Sequence, residues 1–140
     1  MSDDSLRNLI ASGGLLTLAT IKRDGRPQMS LVSYAYDRVQ DLVRVSITAD
    51  RAKTANLRRD PRATLMIRSD DGWSYAVADA DATLLPVCER TDDASVDELV
   101  DIFRRVQGEH SDWDEFRQAM VDDKRLPLHL KLTHLYGSAR

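Results

Sequence analysis

A chain of 140 residues with 42% hydrophobic content can bury one ordinary core, so residues 1–140 are expected to form one domain. A formal charge of −3 carried alongside 20 Lys and Arg makes basic character local, which argues against a general nucleic-acid binder. Cys88 is the only cysteine, which excludes an internal disulfide and any cysteine-based metal cage.

The opening Met1-Ser2-Asp3-Asp4-Ser5 is acidic and polar, without the charged start and apolar run of a secretory leader. No segment approaches the ~18 uninterrupted apolar residues of a membrane span, so a cytoplasmic protein without membrane contact is expected. A short amphipathic helix carrying Leu6, Leu9 and Ile10 breaks at Gly13-Gly14. Leu15–Ile21 then reads as a strand, Asp24-Gly25 as a hairpin turn, and Arg26–Tyr36 as the return strand. That strand puts Gln28, Ser30, Val32 and Tyr34 on one face and Met29, Leu31 and Ser33 on the other, and Pro27 suggests a sheet edge.

A third strand over Leu42–Thr48 leads into a helix predicted from Arg51 to Arg59, with Asp50 as N-cap and Asp60-Pro61 as the stop. The first turn holds Arg51 and Lys53, where the helix start already carries unpaired N–H groups and roughly half a positive charge. Cations there cost a few tenths of a kcal/mol unless an anion is bound. A phosphate held by the free N–H groups, Arg51, Lys53 and the Thr54 hydroxyl would reverse that sign. A solvated basic surface helix explains the same residues about as well on charge alone.

Ala63–Ile67 follows as a fourth strand, Ser69-Asp70-Asp71-Gly72 as a turn, and Trp73 to Leu85 as a long fifth strand ended by Pro86. Ser95-x-x-Glu98 reads as a capping box opening an apolar stripe of Val96, Leu99, Val100, Phe103 and Val106, with Gly108 as its stop. Ser111 is the expected cap of a further helix burying Trp113, Phe116 and Met120. The last strand alternates Leu126, Leu128, Leu130 and Leu132 against His129, Lys131 and Thr133. Six strands joined by hairpins suit a mainly β, α+β fold: an antiparallel barrel with peripheral helices.

Neither GxGxxG nor GxxxxGK[ST] occurs, so any phosphate must be held by the basic helix. His110, His129 and His134 lack metal-ligand spacing, the last two falling on opposite faces of a regular strand, so no metal site is expected. Cys88 has no neighbouring histidine, and the acidic residues fall in caps and turns. No catalytic side chain is assigned, and chemistry is expected to belong to a bound cofactor.

Leu18-Ala19-Thr20-Ile21-Lys22-Arg23-Asp24-Gly25-Arg26-Pro27-Gln28, Arg51-Ala52-Lys53-Thr54-Ala55-Asn56-Leu57 with Asp60-Pro61-Arg62-Ala63, and Asp71-Gly72-Trp73 resemble the pyridoxamine 5'-phosphate oxidase-like family. The likeness spans nearly the whole chain and is closest to the actinobacterial branch that uses the deazaflavin coenzyme F420. The resemblance implies a six-stranded, FMN-binding-like split β-barrel and a homodimer with cofactor sites at the subunit interface. By position, it implies Arg51, Lys53 and Thr54 at the cofactor phosphate and Gln28 and Ser30 lining the ring pocket. It also implies Ser46 and Thr48 along the ring edge, with Trp73 and Tyr75 reaching in at the interface.

Each has a plainer reading: Gln28 and Ser30 as exposed strand polars, Trp73 as dimer core, Asn56 as a local helix-to-loop hydrogen bond, Arg58 and Arg59 as last-turn cations suited to the dipole. The Arg-x-His pair that the vitamin B6 oxidases carry near the C-terminus is replaced by Lys131-Leu132-Thr133-His134. The expected activity is F420-dependent hydride transfer with a small conjugated substrate. FMN as cofactor, and a non-catalytic F420- or flavin-binding carrier, stand as alternatives.

Overall fold

The computed structural model describes residues 3–139, so Met1 and Ser2 of the acidic N-terminal run lie outside the described residues. In chain order the elements are α1 (Asp3–Ser12), β1 (Leu15–Ile21), β2 (Pro27–Ser33), β3 (Ala35–Asp37), β4 (Leu42–Thr48), α2 (Ala52–Arg59), β5 (Arg62–Arg68), β6 (Tyr75–Leu84), α3 (Ala94–Gln107), α4 (Trp113–Asp122) and β7 (Arg125–Ser138). The strands form one antiparallel sheet of order β2-β1-β5-β6-β7-β4-β3, with β2 at the edge that Pro27 suggested.

Seven strands replace the expected six because the return strand is broken at Tyr34. The Tyr34 hydroxyl donates to the Ile10 carbonyl at 2.5 Å, which turns the chain toward α1 before β3 pairs with β4. Gly13 lies beneath: a Cβ there would stand 2.6 Å from that hydroxyl oxygen. The first hairpin closes as a Lys22–Gly25 turn in which only Gly25 has positive φ, at 87°, so Asp24 does not adopt the left-handed conformation.

The concave face of the curled sheet holds the larger core, in which Leu18, Val43, Leu126, Leu128 and Leu130 are wholly buried. Leu6 and Ile10 of α1 pack on it. A Leu side chain moved from water into such a core contributes about 2 kcal/mol, so the alternation along β7 alone fixes which face turns inward. A second, smaller core lies between α3 and α4, built on Val96, Leu99, Ile102, Phe116 and Met120. Burial there pushes the Cys88 thiol up to about 11, leaving it a packing residue. Arg44 ties α3 to the sheet by pairing with Asp101 at 2.6 Å and Glu98 at 3.6 Å, while Glu98 also meets His129 Nε2 at 2.5 Å.

Three helix starts differ from expectation, the first because of a competing hydrogen bond. Ser95 is buried and donates to the Pro86 carbonyl at 2.6 Å, so it does not cap α3, whose N-cap is Asp93. Asp112, not Ser111, caps α4 by accepting from the Glu115 N–H. Arg51, not Asp50, occupies the N-cap of α2, with no side-chain cap bond. A bulge in β7 also corrects the placement of two histidines. Asp79 pairs with His134 and Ala80 with Leu132, so the pattern slips by one residue at Thr133 and His134 returns to the outer face with His129. Among the described residues no group of three His, Cys, Asp or Glu stands close enough to hold a metal, and no helix is long and apolar enough to cross a membrane.

Candidate functional site

Strand β4 ends where α2 begins, and three bonds set that corner. Ala49 N–H donates to the Lys124 carbonyl at 2.9 Å, Arg51 N–H to the Thr48 carbonyl at 3.3 Å, and the Thr54 hydroxyl to the same Thr48 carbonyl at 2.7 Å. Thr54 is fully buried and its only proton is committed there, so it pins helix to strand and does not face a ligand. Arg125 opens β7 directly opposite Thr48. The turn thus gathers Arg51, Lys53 and Arg125.

These cations lean on hydroxyls, not on carboxylates. Arg51 Nε donates to Thr48 Oγ1 at 3.2 Å and Arg125 Nη1 to Ser46 Oγ at 3.2 Å. None of the three forms an ion pair among the described residues, although Asp123 shares their surface. Burial first, then repulsion from Arg51 and Arg125, holds the Lys53 ammonium below the ordinary lysine pKa. A folded protein that crowds three like charges without a counter-ion has the donor set for a phosphate.

The corner opens into a cleft of about 580 Å³. One wall is Leu31–Ser33 of β2 and Ser46–Thr48 of β4; the other is apolar, from Leu99 and Phe103 of α3 and Phe116 and Met120 of α4. The cleft follows the split in the sheet, because β3 covers β4 only along Leu42–Arg44 and leaves the edge from Val45 to Thr48 facing β2. Of the residues singled out in the sequence, Ser46, Thr48, Arg51 and Lys53 line this cleft together.

Gln28 and Ser30 share the inward-facing side of β2 with Val32 but stand outside that lining. Ser30 Oγ is buried without a hydrogen-bond partner, an orphan of the kind that a ligand satisfies. Gln28 Oε1 accepts from Thr20 Oγ1 at 3.1 Å, and Thr20 in turn accepts from Asn56 Nδ2 at 3.1 Å. Asn56 therefore reaches from helix to strand, not from helix to loop.

Trp73 and Tyr75 lie elsewhere. Trp73 sits in the turn before β6 and is 72% exposed, and Tyr75 stands on the outer face of the sheet. A register row there joins Leu31, Thr17, Met66, Val77 and Tyr136 across five strands. Leu31, Met66 and Tyr136 are exposed in it, and Leu15, Met29, Trp73 and Tyr75 add to the patch. Sequence reasoning missed Arg125, whose signal was its place one residue before the leucine alternation, and the α3–α4 wall, whose stripe was read only as core.

A family model described as pyridoxamine 5'-phosphate oxidase matches residues 2–137. Solved structures share the fold across nearly the whole chain. A conserved hypothetical protein of Mycobacterium tuberculosis is 21% identical with a TM-score of 0.77, over 99% of this chain and 85% of that one. A protein named F420 reductase is 19% identical with a TM-score of 0.67, over 93% and 94%. An FAD-binding protein of Mesorhizobium loti is 18% identical with a TM-score of 0.69, over 98% and 92%. At these identities the likeness is one of fold.

Proposed function

The chain belongs to the pyridoxamine 5'-phosphate oxidase family, and from that premise we propose that it is a cytoplasmic oxidoreductase working with a deazaflavin, coenzyme F420, or alternatively with FMN. The observation that carries this reading is the trio of Arg51, Lys53 and Arg125, without an ion pair among the described residues at the mouth of the split sheet. The fit is supported further by the orphaned Ser30 hydroxyl. In this reading Lys53 and Arg125 hold the cofactor phosphate with Arg51, Ser46 and Thr48 follow the ring edge, and Gln28 and Ser30 meet the ring. A bound flavin or deazaflavin supplies the hydride chemistry that no side chain here can.

The protein's part is orientation and exclusion of water. The polar strand wall fixes one edge of the ring, and the apolar α3–α4 wall keeps the space above it dry. Among the described residues the lining offers Asp123 as its carboxylate and has neither histidine nor cysteine, and in this reading solvent supplies a proton for a small organic substrate. That same lack favours a second reading, a non-catalytic carrier. Lys131 and His134, at the place of the vitamin B6 oxidases' Arg-x-His, are engaged or turned outward: Lys131 Nζ donates to the Gln40 carbonyl, and His134 lies beside Tyr136 on the outer face.

We also propose that the exposed apolar row on β2, β1, β5, β6 and β7 meets a second copy of the chain, which would carry Trp73 and Tyr75 toward the partner's site. Met66→Glu should then yield a monomer in sedimentation analysis; an unchanged wild-type monomer would remove the dimer. For the cofactor, fluorescence titration with F420 and with FMN decides. A tenfold preference for FMN, about 1.4 kcal/mol, overturns F420. A tight F420 complex that reduces none of a panel of quinones and enones makes the protein a carrier.

A further inference from the structure

We infer that Thr20, Asn56 and Arg59 are positioning residues that turn the Gln28 side-chain amide so that it offers N–H donors, and no acceptor, to a bound heterocycle. The inference rests on the flavin or deazaflavin reading above. It follows from the direction of four hydrogen bonds. Arg59 can only donate, and its Nη2 is anchored on the Ile21 carbonyl at 2.7 Å while reaching Asn56 Oδ1 at 3.1 Å. The Asn56 carbonyl oxygen must therefore face Arg59, which leaves its amide nitrogen to donate to Thr20 Oγ1. Thr20, having accepted, directs its own proton to Gln28 Oε1. The Gln28 oxygen is thereby occupied and its nitrogen is turned away, with only the Met29 carbonyl at 3.4 Å, the limit of a hydrogen bond.

Thr20 is 1% exposed and Asn56 7%, so water cannot easily scramble this relay. On the same face of β2, the Ser30 hydroxyl is a buried side-chain atom without a partner among the described residues. Gln28 and Ser30 both lie on β2, the edge strand, which has a neighbouring strand on one side only. The ligand chemistry recognised is a planar conjugated ring with carbonyl acceptors. Two-electron reduction increases the negative charge on such acceptors, so fixed donors bind the reduced ring more tightly than the oxidised one.

The test measures the affinities of oxidised and reduced cofactor, FMN or F420 as wild type accepts, for the full chain and its variants. Thr20→Val should lower the ratio of reduced to oxidised affinity about tenfold, seen equally as a bound midpoint potential about 30 mV lower for this two-electron couple. Thr20→Ser should restore the ratio to within about twofold of wild type. Gln28→Met, on a half-exposed residue, should reproduce the loss should Thr20→Val fold poorly. A merely structural role weakens both redox forms alike and leaves the ratio unchanged, which overturns the relay while the cofactor assignment stands. Wild type that binds neither cofactor overturns both.

Discussion

The two ends of α2 carry the same kinds of residue and treat them oppositely. At the C-terminal end Arg59 is bonded to the Ile21 carbonyl and Asn56, and Arg62 pairs with Asp60 at 2.8 Å. At the N-terminal end Arg51 and Lys53 stand with Arg125 and no ion pair among the described residues, on the side where the helix dipole is already positive. The C-terminal cations complete the fold. The N-terminal ones oppose it slightly and gain a partner only from outside. Cations around the ends of one short helix thus separate into structural and ligand-binding groups by what answers their charge, not by their number.

The comparison is broken most directly at Lys53. Lys53→Ala should weaken cofactor binding by roughly 1–3 kcal/mol while leaving Tm unchanged or slightly higher, because the variant removes a charge-assisted contact and a repulsion together. Equal losses of affinity and Tm would make the corner structural. The pH profile sharpens the point. Since the Lys53 pKa is lowered, its proton leaves before that of an ordinary lysine, and affinity should fall as pH rises through that value. Lys53→Arg, charged throughout, should flatten the fall.

Thr54 gives the next largest effect, of the opposite kind. Thr54→Val should cost about 1–2 kcal/mol of stability by removing the shorter of the two hydrogen bonds to the Thr48 carbonyl, which keeps only the Arg51 N–H at 3.3 Å. Denaturant unfolding measures that loss. A variant of wild-type stability that loses cofactor affinity would return Thr54 to the phosphate.

These contrasts show what was legible in the chain. Strands β1 and β4 and the leucine face of β7 could be read at once, because period-two burial is a local property of sequence. The cationic turn was legible as an anomaly, charges placed against a dipole. What could not be read depended on distant atoms. Ser95 and Thr54 have the right residue type for caps and anion ligands, but the Pro86 and Thr48 carbonyls claim their hydroxyls. Arg125 is 72 positions beyond Lys53 and joins it only through the β4–β7 register. The bulge at Thr133 likewise defeats a strand-parity argument that would hold in a regular ladder.

The smallest effect belongs to Asp60, where the comparison extends to pH. Hydrogen bonds from Arg62 hold its carboxyl down at about 2, below the unfolded value of about 3.9. A depressed acid contributes stability that is complete above the unfolded pKa and is lost as pH falls through the folded one, so the window lies between about pH 4 and 2. Asp60→Asn should therefore flatten the acid limb of the stability curve in that window. Because Arg62 is exposed and Asp60 is only partly covered, added salt should shrink the difference. Cofactor affinity at pH 7 should not change. Lys53 has the complementary linkage: the unfolded lysine holds its proton to higher pH, so stability without ligand rises as pH passes the folded value. One short helix would then show an acid-sensitive end that ligand ignores and an alkaline-sensitive end that ligand suppresses. An acid limb that shifts when cofactor is added would show that the two ends are not independent.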